Sequence, residues 1–420
     1  DCNLPSGESL TRQLLMGSKF VREEFGREMH YLWLPDVFGY SWALPQILKK
    51  SGIDIFMTTK ISWNEFNRMP HDTFWWKGMD GSEVLTHFVT TPDADSDLNP
   101  WFHTYNGMLT PYTVKGVWKE YSDKNLNQEV LISYGFGDGG GGVNRDALEQ
   151  RRRLDKLPGL PHVKTSTAGA YFKRLQEKIQ NAEEYVHTWD GELYLEFHRG
   201  TYTSHAYNKK MNRKLEFLYR EAEWLTAMAA VKKGQIEMAQ QEKLSEGWKI
   251  ILRHQFHDII PGSSIAGVYE DSKKEYAIAW DIARNVEETA YNSLLEEQEN
   301  TWTVLNNAGW TANSLAVVEG AGEGTFFDES GNPLEIQKEG NRTYVQINQI
   351  PAMGGRKIFL KKGTRTEEKP SVFTLSKELI ETPIYRIRLN EAGQITELYD
   401  KEHDRQVLKC GERANVLQIF

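Results

Sequence analysis

The apolar periodicity of this 420-residue chain changes twice, and that limits what it can fold into. From Leu10 to about Leu160, short apolar runs alternate with amphipathic ones. Thr11 to Phe20 has a helical period and Tyr31 to Leu34 reads as a strand. Leu44 to Lys50 reads as a helix, and Ile53 to Thr58, Val84 to Thr90 and Glu129 to Tyr134 as further strands. Such alternation predicts a largely parallel sheet with crossover helices. Three long helical patterns follow. Leu215, Leu218, Ala222, Leu225 and Ala229 share a face of the first, and Met238 to His257 forms the second. Val268, Tyr276, Ala283, Val286, Ala290 and Leu294 mark the third, with Ser263 or Ser264 as its cap. From Thr301 the period becomes two, in Trp302 to Trp310, Thr343 to Ile347 and Ile384 to Leu389. The last of these leads through a hairpin turn at 390–393 into Gln394 to Tyr399, and Glu367 to Lys369 reads as an exposed loop. The expected fold class is multidomain, α/β + α + β. It comprises an α/β unit over 1–200, a three-helix bundle over 201–300 and the start of a β-sandwich over 301–420.

Composition narrows the partners. A hydrophobic content of 39% and a charged content of 26% describe a globular chain with ample core material. The net charge of −9 argues against nucleic acid or an anionic membrane. Cys2 and Cys410 lie at opposite ends and offer no disulfide framework or cysteine-rich metal site. With no run apolar enough to cross a bilayer and no secretory leader, a cytoplasmic enzyme is the expectation. The chain opens without Met and stops within a strand pattern, so a piece of a longer protein is expected too; whether it forms a homo-oligomer is left open. Aromatic residues are many (13 Trp, 18 Tyr, 18 Phe), and their faces are what sugar rings stack on.

Asp36 lies between Pro35 and the turn Phe38-Gly39-Tyr40, just past one predicted strand and before a helix. An Asp beside a proline is ordinarily a turn or cap residue, yet this edge of an α/β sheet is where ligands bind. The glycine-rich stretch 129–142 allows two readings. Gly135, Gly137 and Gly140 match a dinucleotide fingerprint after a strand, but Asp138 inside the loop would repel a pyrophosphate, and Leu157 to Pro161 breaks the chain where a βαβ unit should continue. Glycines on both sides also let a bulky ligand approach one projecting carboxylate, which suits a general acid. The loop from Pro92 to Pro100, with Asp93, Asp95 and Asp97, lacks the glycine and final Glu of a calcium loop and reads as a flexible acidic loop. His254 and His257 share a helical face, a pattern that by itself is more often a cap or polar core contact than a metal site.

The segments Leu34 to Ser41 and Leu44 to Gly52 resemble the nucleophile segment of the glycoside hydrolase family 38 α-mannosidases. GELYLEFHRGTYT at 191–203 and HQFHDIIPGSS at 254–264 are similar to two further family segments. The resemblance implies an N-terminal α/β barrel-like catalytic domain. Within it Asp36 would serve as nucleophile and zinc ligand and Asp138 as acid/base, while His257 of the helical bundle would be a second zinc ligand. Asp258 would hold sugar hydroxyls, and Lys60 would stand where the family is basic and meets the sugar. His198, Arg199 and Tyr202 would border the sugar. It implies Zn2+ or another divalent cation, with two more ligands in an upstream HxD motif that precedes the segment matching Asp1 to Ser9. The 420 residues alone are therefore expected to bind metal weakly or not at all and to be inactive. The implied activity is a retaining, exo-acting α-mannosidase on α-mannoside oligosaccharides. A metal-dependent polysaccharide deacetylase and a non-catalytic carbohydrate-binding protein are the alternatives. Retention requires one carboxylate to attack and a second, about 5 Å away, to give and then take a proton.

Overall fold

Ile55-Phe56-Met57-Thr58 is apolar throughout because both its faces are covered. In the computed structural model Phe56 points into a cluster with Tyr40, Leu44, Leu48, Phe74 and Trp76. Ile55 and Met57 point the other way, against Leu85, Tyr171, Phe172, Leu175 and Ile179. The structure describes residues 1–93, 102–138, 141–363 and 371–418, and divides the chain into two units, Asp1–Glu296 and Glu297–Phe420. Asp95, Asp97, Gly140 and the loop expected at Glu367 to Lys369 lie outside the described residues.

The first unit opens with helix α1 (Gly7–Phe25), capped by Ser6, whose hydroxyl accepts from the Ser9 N–H. Strands β1 (Tyr31–Trp33), β2 (Ile55–Thr58), β3 (Thr73–Lys77), β4 (Glu83–Phe88) and β5 (Thr188–Asp190) form one sheet in the order β1-β2-β4-β3-β5. β1, β2 and β4 run parallel, β3 is antiparallel to β4, and β5 runs parallel to β3. The sheet is thus mixed, and the hairpin partner β3 escaped the sequence reading. Among the described residues it has two free edges, so the barrel-like closure implied by the family resemblance is not confirmed.

Helices α2 (Leu44–Lys50), α3 (Pro111–Glu120), α4 (Arg145–Leu154) and α5 (Ala168–Gln180) complete this part. Glu129 to Tyr134 is not a strand. Only Tyr134 bridges, to Gly107, because the segment is spent on packing: Leu131 enters one core, and Ile132 and Tyr134 enter another. The strand expected before the glycine loop is therefore missing, and with it the context of a dinucleotide fingerprint.

Helices α6 (Ala206–Lys233), α7 (Met238–His254) and α8 (Ala266–Leu294) follow. They share a core of Leu215, Tyr219, Leu244, Trp248, Tyr276 and Ala283. α7 ends three residues earlier than its periodicity suggests. His254 is buried with its Nε2 2.5 Å from Glu275 Oε2 on α8, while His257 lies beyond in a turn. The two histidines therefore do not act as a pair. α8 has no side-chain cap, since the Ser263 hydroxyl donates to Asp258 Oδ1 at 2.7 Å instead. Among the described residues, no helix is long and apolar enough to cross a membrane.

The second unit is antiparallel. It contains β6 (Thr301–Asn306), β7 (Ala312–Glu319), β8 (Gly324–Phe327), β9 (Ile336–Glu339), β10 (Arg342–Ile350) and β11 (Gly354–Lys362). These form the sheets β7-β10-β9 and β6-β11-β8. The two share one core of Val318, Phe326, Val345, Ile347, Ile358 and Leu360. A third sheet joins β12 (Thr374–Leu375), β13 (Leu379–Glu381), β14 (Tyr385–Leu389), β15 (Ile395–Asp400) and β16 (Arg405–Gln406) in sequence order. The expected hairpin at 390–393 is the turn between β14 and β15.

Candidate active site

Asp36 follows β1 by three residues and Lys60 follows β2 by two, so both stand at the carboxyl edge of the parallel strands. The two loops are tied together through one carbonyl. Pro35 O accepts from Thr59 N at 3.2 Å, Lys60 N at 3.0 Å and Thr59 Oγ1 at 2.9 Å. Beneath them the fully buried Tyr40 hydroxyl donates to Leu34 O at 2.6 Å and lies 2.7 Å from Thr58 Oγ1. The turn also needs Gly39, with φ at +106° and a Cβ there meeting Asn3 Nδ2 at 2.9 Å. A strand, a tight turn and a buried hydroxyl together hold the Asp36 carboxylate in one place.

The two oxygens of Asp36 face different partners. Lys60 Nζ is 2.7 Å from Oδ1. On the other side Tyr105 Oη makes a long contact to Oδ2 at 3.4 Å, and His257 Nε2 lies 3.8 Å from the same oxygen. Asp258 Oδ2 is 3.6 Å from His257 Nε2. Burial lowers the His257 pKa, opposed by the nearby Asp258 and Asp36. The Tyr105 phenol is pushed up by burial and by Asp36 and Asp138.

Asp138 sits exposed on a tight turn. Phe136 N donates to Gly142 O at 2.6 Å and Gly141 N to Phe136 O at 3.0 Å, so closely that a Cβ on Gly141 would fall 2.4 Å from Phe136 O. Its Oδ1 accepts from Asn106 Nδ2 at 3.0 Å. Asp36, Lys60, Trp63, His103, Tyr105, Asn106 and Asp138 all border a single cavity of about 280 Å³. The segment 103–106 thus reaches both carboxylates, Tyr105 to Asp36 and Asn106 to Asp138. It went unnoticed in the sequence, where its only signal is its place on the long connection leaving β4, a third parallel strand.

The remaining candidates separate. The His198 ring lies 4.6 Å from Phe38. Burial and Lys60 lower its pKa to about 4, so it is neutral, and its buried Nδ1 has no partner. The Tyr202 hydroxyl lies behind the Asp36 turn, accepting from Asn3 Nδ2 at 2.8 Å and contacting Phe38 O at 3.4 Å. Arg199 is exposed and makes no side-chain hydrogen bond or ion pair among the described residues. The structure brings Asp36, Lys60, His198, His257 and Asp258 together and leaves Arg199 and Tyr202 outside that group. A separate cluster of Asp400, Glu402 and His403 belongs to the second unit. There Asp400 accepts from the N–H groups of Glu402 and His403, as a capped turn does.

Two consecutive family models match the first unit: the glycosyl hydrolases family 38 N-terminal domain over residues 1–192 and the alpha mannosidase middle domain over 196–294. The chain belongs to glycosyl hydrolase family 38. Over its whole length this family 38 chain is 41% identical to alpha-mannosidase 2C1 of Mus musculus and 40% identical to that of Homo sapiens. It spans about 38% of the length of each. Alpha-mannosidase G of Dictyostelium discoideum is 41% identical over 65% of the chain, which spans 24% of that protein. Among solved structures, an alpha-mannosidase from Enterococcus faecalis V583 superposes with a TM-score of 0.71 at 18% identity. That match covers 97% of this chain and 51% of the other, and it shows the fold.

Proposed function

We propose that this chain carries the active site of a retaining, exo-acting α-mannosidase that removes terminal α-linked mannose from oligosaccharides, with a divalent metal beside the nucleophile. The observation that carries the reading is that Asp36 and Asp138, 102 positions apart, border the same cavity. At about 280 Å³ the cavity is near the small end of ligand sites and suits one sugar ring.

In this reading protonated Asp138 gives its proton to the glycosidic oxygen while Asp36 attacks the anomeric carbon, so the bond to the leaving group breaks as an ester to Asp36 forms. Water then attacks the same carbon, losing a proton to Asp138 and releasing Asp36, and the configuration is retained after two inversions. Lys60, paired with Asp36 Oδ1 at 2.7 Å, orients the attacking carboxylate. His198 and Asp258 border the sugar; Arg199 and Tyr202 act at its rim or by bracing the loop.

Asp36 and His257 would hold the metal. Their facing donor atoms, 3.8 Å apart, are an oxygen and an imidazole nitrogen, a donor set that suits zinc bonds of about 2.0–2.2 Å. When bound, the cation supplies Lewis acidity and a hold on adjacent sugar hydroxyls. We further place the catalytic α/β domain, barrel-like in form, at 1–200, the helical bundle at 201–300 and the sandwich at 301–420, in a cytoplasmic protein.

The test is covalent trapping. In a form of the protein that includes the expected upstream metal ligands, a 2-deoxy-2-fluoro mannosyl donor should stop turnover and leave its sugar on the peptide containing Asp36. Turnover of an aryl α-mannoside with no label on Asp36 would sink the proposal. Asp138→Asn should lower kcat about 10²–10⁴-fold for poor leaving groups and far less for a dinitrophenyl one; a deacetylase would be indifferent to that change.

A further inference from the structure

The cavity between Asp36 and Asp138 has a wall residue with no task in the scheme above. His103 is only 3% exposed and borders the cavity. Its backbone is clamped on both sides: its N–H donates to Ser62 Oγ at 3.0 Å, and its carbonyl accepts from Trp63 Nε1 at 3.1 Å. Ser62 is itself tied to Thr59 O at 2.7 Å, beside Lys60. The ring is thereby held on the element that carries Lys60, yet its Nε2 is buried with no hydrogen-bond partner among the described residues. Buried imidazole nitrogens are normally paired, because an unmade bond forfeits the hydration the group had in the unfolded chain.

The chemistry of the other cavity walls indicates what such a ring takes. Asp36, Asp93 and Asp138 offer acceptors when ionised, and Lys60 offers only donors. Burial, helped by Arg68, lowers the His103 pKa to about 3, so the ring stays neutral with one N–H and one lone pair. An anionic ligand would be repelled by the ionised acids among those walls. A hydroxyl, which both gives and accepts one hydrogen bond, matches a neutral imidazole.

We propose that His103 is a specificity residue whose ring hydrogen-bonds one hydroxyl of the sugar seated between Asp36 and Asp138. This rests on the reading of the cavity as a mannoside site. His103 does not touch the bond that breaks; it selects among sugars by which hydroxyl stands opposite it.

The experiment uses a form of the protein that includes the expected upstream metal ligands and measures kcat/KM of the wild type, His103→Phe and His103→Gln on aryl α-mannosides lacking one hydroxyl at a time. If the wild type cleaves none of them and binds no mannose-derived inhibitor, the mannoside reading itself has failed. If the wild type is active, His103→Phe should lose about 10- to 100-fold on the parent sugar. It should lose nothing further on the one analogue that lacks the matched hydroxyl, and the full factor on the others. His103→Gln should recover part of the loss. An equal loss on every analogue, or no loss on any, overturns the assignment. Should the variants not fold, a crystal of the wild type soaked with a mannose-derived inhibitor decides. A sugar oxygen about 3 Å from a His103 ring nitrogen supports it, and a seated sugar with none in reach refutes it.

Discussion

Lys60 Nζ stands 2.7 Å from Asp36 Oδ1 and 4.0 Å from the centre of the Trp63 ring, with only 9% of the lysine side chain exposed. The ammonium is thus fixed by a carboxylate on one side and an aromatic face on the other. It leaves the second Asp36 oxygen to Tyr105 and His257.

Removing that cation should cost both stability and activity. Lys60→Met strands the Asp36 carboxylate without its cation, and we expect about 1–3 kcal/mol of destabilisation, moderated because Asp36 keeps some solvent. Lys60→Arg should retain more than half of the stability. Urea unfolding of the three proteins checks this; a Met variant as stable as the wild type contradicts the buried-pair argument.

Tyr105 and Asn106 position the two carboxylates from one loop. Tyr105→Phe and Asn106→Ala should each lower kcat about tenfold, the worth of one hydrogen bond to a carboxyl group, while leaving the melting temperature within a degree or two. Steady-state rates beside calorimetry separate this from general misfolding, which would move both.

The helical bundle has a position with no room for a methyl group. A Cβ on Gly247 of α7 would fall 1.6 Å from Tyr219 Oη, whose hydroxyl donates to Ala279 O at 2.7 Å. Gly247→Ala should therefore destabilise by about 1–3 kcal/mol despite the better helix propensity of Ala. Adding Tyr219→Phe removes the nearest of three clashing atoms and leaves the ring carbons Cζ and Cε1 at 2.4 and 2.7 Å, so the double variant should recover part of the loss and fall short of the sum of the singles. Additive losses would show that Tyr219 moves aside freely.

The buried imidazoles set an acid dependence. His87 is enclosed, its ring nitrogens 2.9 Å from Thr73 Oγ1 and 3.1 Å from Tyr171 Oη, and burial holds its pKa near 3 against the ordinary 6.5. Above pH 6.5 it is neutral folded and unfolded and contributes nothing to pH dependence. Below that, only the unfolded chain takes the proton, so this residue withdraws about 1.4 kcal/mol of stability per pH unit down to about pH 3. The stability gap between wild type and His87→Gln should narrow by that slope from pH 6.5 to 4.5. A gap that does not change with pH would mean the ring is protonated in the fold.

Local chemistry was written in the chain. The helix at Leu44–Lys50 matches its periodicity residue for residue, and Asp36 at the end of β1 and the turn carrying His257 were recognisable from a few neighbours. Apolar spacing records which faces of a segment are covered, and that depends on adjacent residues. Pairing does not. That β3 inserts between β4 and β5, antiparallel to the first and parallel to the second, that Leu131 and Ile132 pack without joining a ladder, and that α7 stops at His254 depend on partners outside the segment itself. The cavity is of the second kind. Asp36 and the 103–106 segment lie on loops that leave the sheet at one edge, the turn carrying Asp138 follows no strand and meets them through Asn106, and no periodicity in any single loop encodes that meeting.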